Sequence, residues 1–201
     1  MATKTTVTVK ELDIRTVVIP IKGRSPLIVN QFNKKARDLM LDKQTGKATN
    51  KKHAIKVPEN DYEGSKHIST EGWEGFPAAG FKGAMIRAAK SLGMVMTDVR
   101  TAFFIQADDE LTQLVRIYGE SRMREDMVRV GMGTADIRFR AEYPQWEANL
   151  TVEFNEGNIS IDQIYQLVKM AGYGSGIGEM RPEKGKFNYG RFVLAQEVQT
   201  T

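Results

Sequence analysis

Between Gly172 and Gly178 the chain reads Gly-Tyr-Gly-Ser-Gly-Ile-Gly, after a helix-patterned segment and ahead of an apolar strand-patterned one. Four glycines in seven positions allow close backbone approach, and Arg181, Lys184 and Lys186 add positive charge beside them. That combination suits a phosphate-facing loop. Nucleotide-binding fingerprints need a strand before the glycines and a helix after them, whereas here the order is helix, loop, strand. The loop therefore feeds the closing strand of a sheet.

Upstream, Ile14 to Ile21 reads as a strand, with β-branched Val17, Val18 and Ile19. Gly23, Ser25 and Pro26 break it, Leu27 to Val29 extend it, and Asn33 to Leu41 can form a short basic helix. From Asp42 to Gly75 the composition turns polar, which predicts a mobile insertion with room for a hairpin. Pro77 to Leu92 is patterned as a helix, because Phe81, Met85, Ala88 and Leu92 recur at three- and four-residue spacing before Gly93. Met94 to Asp109 reads as helical or irregular, and Leu111 to Tyr118 as a strand.

Three strand-like runs follow, Met123 to Val130, Asp136 to Tyr143 and Trp146 to Phe154, separated by turn residues. Ser160 and Gln163 form a capping box for a helix over Ile161 to Ala171, with Ile161, Ile164, Tyr165 and Val168 as its buried stripe and Gly172 at its end. Phe187 to Gln196 closes the sheet. Without the insertions the order is βαββαβ, so the expected fold class is α+β: an elaborated ferredoxin-like or RRM-like antiparallel sheet in one domain, with a long insertion at about 42–75 and an arginine-rich β-hairpin at about 119–142.

A chain of 201 residues, 41% hydrophobic, can bury a substantial core. It contains no apolar run of membrane-spanning length and no hydrophobic secretion signal near Met1, which points to a soluble, cytoplasmic protein without a membrane partner. Zero cysteines exclude disulfides and thiolate metal sites. The formal charge of +4 is small, but its distribution is uneven. Lys34, Lys35, Arg37, Lys43, Lys47, Lys51, Lys52 and Lys56 fall in one short region, and Arg116, Arg122, Arg124, Arg129, Arg138 and Arg140 in another.

Phe76-Pro-Ala-Ala-Gly-Phe-Lys-Gly-Ala-Met-Ile-Arg87 resembles the Ile-Pro-Gly-Ser-Ser-Leu-Lys-Gly-x-x-Arg signature of the repeat-associated mysterious proteins (RAMPs), the RNA-binding superfamily of CRISPR effectors. The glycine-rich run before the last strand is similar to that superfamily's C-terminal loop. The resemblance implies a backbone-subunit-like protein, or a stand-alone or viral relative that would work in the host cytoplasm. Such subunits polymerise along one strand, which they contact through an insertion after the first strand and a thumb hairpin. Carried over, Lys82 and Arg87 match the signature's basic positions, Gly172, Gly174, Gly176 and Gly178 match the loop, and Arg122 to Arg140 occupy the thumb. Ala78 and Ala79 depart from the usual Gly-Ser. Gly23-Arg-Ser-Pro-Leu-Ile lacks the aspartate of nuclease-competent members, so cleavage is not expected.

The expected nucleic-acid-binding residues are Lys82, Arg87, Arg122, Arg124, Arg129, Arg138, Tyr173, Gly174, Gly176, Gly178, Arg181 and Lys184. Arginine grips phosphate with two donors and stacks on bases, and Tyr173 is the first candidate for base stacking. Trp73, Phe76, Tyr143, Trp146 and Tyr189 are further aromatic candidates, although core positions suit most of them. His53 and His67 lie fourteen residues apart without cysteine partners and read as surface histidines. The acidic run Asp108-Asp109-Glu110 reads as a cap or solvated turn. No nucleophile elbow or triad stands out, and no cofactor or metal is expected.

The expected function is largely sequence-independent binding of single-stranded RNA or DNA, with homo-oligomers assembling cooperatively along the strand and no enzyme activity. Two alternatives stay open: a RAMP-type ribonuclease, and a protein-interaction module or inhibitor that mimics a CRISPR effector subunit.

Overall fold

The computed structural model describes residues 11–31, 37, 40–42, 44–46, 56–130 and 134–195. It is α+β, with three antiparallel sheets. The strands are β1 Ile14–Gly23, β2 Leu27–Val29, β3 His67–Ile68, β4 Glu74–Pro77, β5 Phe103–Gln106, β6 Leu114–Arg116, β7 Arg122–Val130, β8 Thr134–Tyr143, β9 Glu147–Asn155 and β10 Phe192–Leu194. The helices are α1 Pro58–Glu63, α2 Ala78–Ala89, α3 Met96–Ala102 and α4 Ile161–Met170. Among the described residues no helix is long and apolar enough to cross a membrane.

The largest sheet has the order β10-β1-β9-β5, with every neighbouring pair antiparallel. Alternation along β1 and β9 puts Val17, Ile19 and Ile21 opposite Val152, Leu150 and Ala148 on the core side. α2 and α4 contribute Phe81, Met85, Ile164, Leu167 and Val168 to the same core. The opposite face of the sheet carries Thr16, Val18, Phe104, Asn149 and Glu153, with Lys22 paired to Glu147 at 3.3 Å. That surface has one aromatic ring and mixed charge, a poor match to a stacking platform of the RRM kind.

Two smaller sheets flank the main one. β2 is wholly buried and pairs with β8, which forms a long hairpin with β7. β4 lies between β3 and β6. Within the segment 42–75, Asp42 and Gln44 are helical, and Pro58 onward carries α1, β3 and the start of β4. Asp109 pins this segment by accepting hydrogen bonds from the Thr70 backbone N–H at 2.6 Å and the Thr70 hydroxyl at 2.9 Å. These bonds, the backbone one foremost, hold the Asp109 carboxyl well below the ordinary carboxylate range. The acidic run is thus a structural clamp.

Several expected boundaries shift for local reasons. β5 lies inside the stretch read as helical or irregular, because Phe103 follows α3 directly with no Gly or Pro to mark the change. The strand expected over Leu111 to Tyr118 shrinks to Leu114–Arg116 and joins β4 rather than the main sheet. Leu111 itself belongs to the preceding turn and is exposed. The Ser160–Gln163 capping box is present, with Ser160 N–H donating to Gln163 Oε1 at 2.9 Å. The buried stripe of α4 is Ile164, Leu167 and Val168, whereas Ile161 is exposed. Gly172 does not end the helix. A π turn over Ala171–Ser175 continues it, and Gly176, at φ 65°, closes it by donating its N–H to the Ala171 carbonyl. The last strand begins only at Phe192, since Pro182–Lys184 form a 3-10 turn and Gly190 adopts φ 66°.

Candidate nucleic-acid interface

The glycine loop meets the first long helix at a cleft of about 230 Å³, lined among others by Asn30, His67, Pro77, Gly80, Arg87, Gly178 and Arg181. Arg87 and Arg181 thus converge from elements more than ninety positions apart in sequence. Both engage Glu183, whose carboxylate lies 2.8 Å from Arg87 Nε and accepts from Arg181 Nε at 2.9 Å. Arg181 also donates to the Gly178 carbonyl at 2.9 Å. Burial lowers the Arg87 pKa from its ordinary value, and nearby Glu183 opposes that shift. The cleft lies below the roughly 300–1,000 Å³ of typical small-molecule pockets and has room for a phosphate group.

Most of the glycines work inside the fold. A Cβ on Gly172 would come within 2.1 Å of the Phe192 carbonyl oxygen, and one on Gly178 within 2.4 Å of the Ile28 carbonyl oxygen. The backbone N–H groups of Gly176, Ile177 and Glu179 donate to the carbonyls of Ala171, Gly190 and Ile28. They hold the loop against β2 and β10. Gly174 is the exception, with open space where its Cβ would be. Lys184 is exposed on the 3-10 turn.

Lys82 is separated from this cleft. At about 100° per residue, five positions put it about 140° around α2 from Arg87. Its ammonium lies 3.9 Å from the Phe104 ring centroid, a cation–π contact at the sheet edge. Burial, and secondarily Arg100, lower its pKa.

The hairpin arginines form a network with acids. Arg122 Nε donates to Glu142 Oε2 at 2.7 Å, and Arg124 reaches Asp126 at 2.9 Å and Glu142 at 2.8 Å. Arg138 is 3.8 Å from Asp136, and buried Arg140 lies 3.7 Å from Asp126 and 3.8 Å from Glu179. This face is charge-balanced. The other face exposes Met123, Met127 and Ile137. Arg129 is paired through its backbone with Ala135, and its side chain lies outside the described residues.

Tyr173 is 70% exposed, with the Arg191 guanidinium 5.3 Å from its ring centroid. Phe76, Tyr143 and Trp146 belong to the core. Trp146 covers Gly23, where any Cβ would lie 2.3 Å from the indole nitrogen, and donates to the Ser25 carbonyl at 2.9 Å. Tyr189 stacks under Arg124 at 4.8 Å. His53 and most of the first basic region lie outside the described residues. His67 departs from a surface position: it is half-buried in the cleft, edge-on to Phe76, and burial pushes its pKa down to about 4. Neither Arg24 nor Arg191 stands out in the sequence, because each is a single cation whose neighbours only the fold supplies. Among the described residues no group of His, Asp or Glu is arranged to hold a metal.

No family model and no curated protein matches the chain. Among solved structures it is similar to Cmr6 from Pyrococcus furiosus, at 11% identity and a TM-score of 0.42, over 92% of this chain and 100% of that one.

Proposed function

We propose that this protein binds single-stranded nucleic acid, largely irrespective of sequence, on an elaborated ferredoxin-like fold. The strand order β10-β1-β9-β5, with α2 between β1 and β5 and α4 between β9 and β10, supports that fold. One observation carries the binding reading. Arg87, from the segment that resembles the RAMP signature, and Arg181, which flanks the glycine run, line a single cleft of about 230 Å³. The partner is an RNA or DNA strand, and the β7–β8 hairpin, with exposed Met123, Met127 and Ile137, supplies an apolar surface for head-to-tail assembly along it.

The ribonuclease reading has one observation in its favour, since His67 shares the cleft with both arginines. A histidine with a pKa near 4 is a weak base at neutral pH, so the binding reading is the stronger. The test is a salt-titrated binding assay with single-stranded RNA, single-stranded DNA and duplex, read beside particle size and strand integrity. Binding of single strands that weakens steeply with salt supports the proposal. Failure of every strand to bind in dilute buffer overturns it, and His67-dependent cleavage favours the ribonuclease.

A further inference from the structure

We propose a second binding site, a platform of Tyr173, Arg191 and Arg24 at the edge of β10 that takes one nucleotide of the strand, with its base on the tyrosine and its phosphate on the two arginines. It rests on the single-strand reading for the polymer that carries this nucleotide. The site is a cavity of about 380 Å³ lined by Arg24, Lys169, Tyr173, Arg191, Phe192 and Val193. None of these is acidic. In the Arg87–Arg181 cleft, by contrast, Glu183 occupies both cations.

The platform is built by the fold. The Arg24 backbone N–H donates to the Arg191 carbonyl at 2.8 Å, and the Arg191 N–H donates to Ser25 Oγ at 3.0 Å, which fixes the two arginines side by side. Gly172, pressed on the Phe192 carbonyl, holds the loop down so that Tyr173 stands next to them. One face of the ring meets Arg191, and its 70% exposure leaves the other to solvent. Among the described residues Arg191 Nε is buried with no hydrogen-bond partner, so within them this donor is unsatisfied. Planar rings stack on tyrosine whatever the base, and guanidinium groups match phosphate geometry. Gly178 lies five positions after Tyr173, at most about 18 Å of extended chain, so one strand can engage platform and cleft together.

The test compares a short labelled oligouridylate with an abasic phosphodiester strand of the same length, using the full chain and the variants Y173A, Y173F, R24Q/R191Q and R87Q/R181Q. Y173A is expected to weaken the oligouridylate roughly tenfold and leave the abasic strand unchanged, with Y173F close to the unsubstituted protein. R24Q/R191Q is expected to weaken both strands and flatten their salt dependence. A strand carrying 2-aminopurine, quenched on stacking, reads the same contact in the unsubstituted protein. No quenching, or Y173A affecting both strands equally or neither, overturns the platform. If the Tyr173 and Arg24/Arg191 variants bind normally while R87Q/R181Q weakens both strands, the platform fails and the cleft stands. If only the platform variants weaken binding, the cleft fails and the platform stands. If the unsubstituted protein binds no strand, both readings fall.

Discussion

Glu183 holds its carboxylate 2.8 Å from Arg87 Nε while also accepting a hydrogen bond from Arg181, so one side chain of the molecule fills the position that a bound phosphate would take. The three side chains are between about one-fifth and one-third exposed, which keeps the ion pairs weak enough to exchange. Under the proposed function, a phosphodiester entering the cleft would displace this carboxylate. Replacing Glu183 with Gln is expected to tighten single-strand binding roughly fivefold, about the worth of one exposed ion pair, and to leave Tm within a few degrees. Weaker binding by E183Q would mean that the glutamate orients the arginines rather than competes for them.

Lys82 and Arg87 share a helix but face different surroundings, Lys82 the Phe104 ring and Arg87 the cleft. K82A removes a cation–π contact with Phe104, so a small loss of stability, about 0.5–1 kcal/mol, is expected with the salt slope of binding unchanged. R87Q is expected to reduce that slope by about one, because one phosphate contact is lost. A reduced slope for K82A would bring Lys82 onto the bound strand.

His67 makes stability depend on pH. Its unfolded pKa is near 6.5 and its folded pKa about 4, so between those values the unfolded chain binds more protons. Stability is therefore full above pH 6.5 and declines as pH falls towards 4, by up to about 3 kcal/mol. Thermal unfolding across this window should show the decline, and H67Q should flatten it. A protonated His67 would also stand among Arg87 and Arg181, which adds repulsion in the same direction.

The glycines divide into two groups by the space around them. G178A combines φ 75° with a Cβ 2.4 Å from the Ile28 carbonyl oxygen, and is expected to cost about 1–3 kcal/mol in denaturant unfolding. G174A meets nothing within 4 Å and is expected to be neutral for stability. Equal losses at both positions would contradict a loop held by close backbone contacts.

In the hairpin, Arg140 is 3% exposed between Asp126 and Glu179. R140A leaves Asp126 paired with Arg124 at 2.9 Å but removes the buried cation beside its other oxygen, and a loss of about 1–3 kcal/mol is expected on chemical unfolding. A near-neutral change would show that water reaches Asp126.

Periodicity and punctuation alone specify the parts of this protein that rest on local physics. β1, α2, the β7–β8 hairpin, β9 and the Ser160–Gln163 cap of α4 are legible because residue spacing and turn residues encode them within a few positions. Arg87 and Arg181 are legible as cations near motifs, but the cleft they share is set by how α2 meets the loop. β5 escapes because four residues without flanking Gly or Pro carry little signal. The partners of Arg122, Arg124 and Arg140 depend on cross-strand register and, for Arg140, on a loop about forty residues away. Burial of His67, separation of Lys82 from Arg87 and the meeting of Arg24 with Arg191 likewise arise from long-range packing. Distances between residues remote in sequence are fixed only when the core closes, and the charge state and accessibility of each side chain follow from those distances.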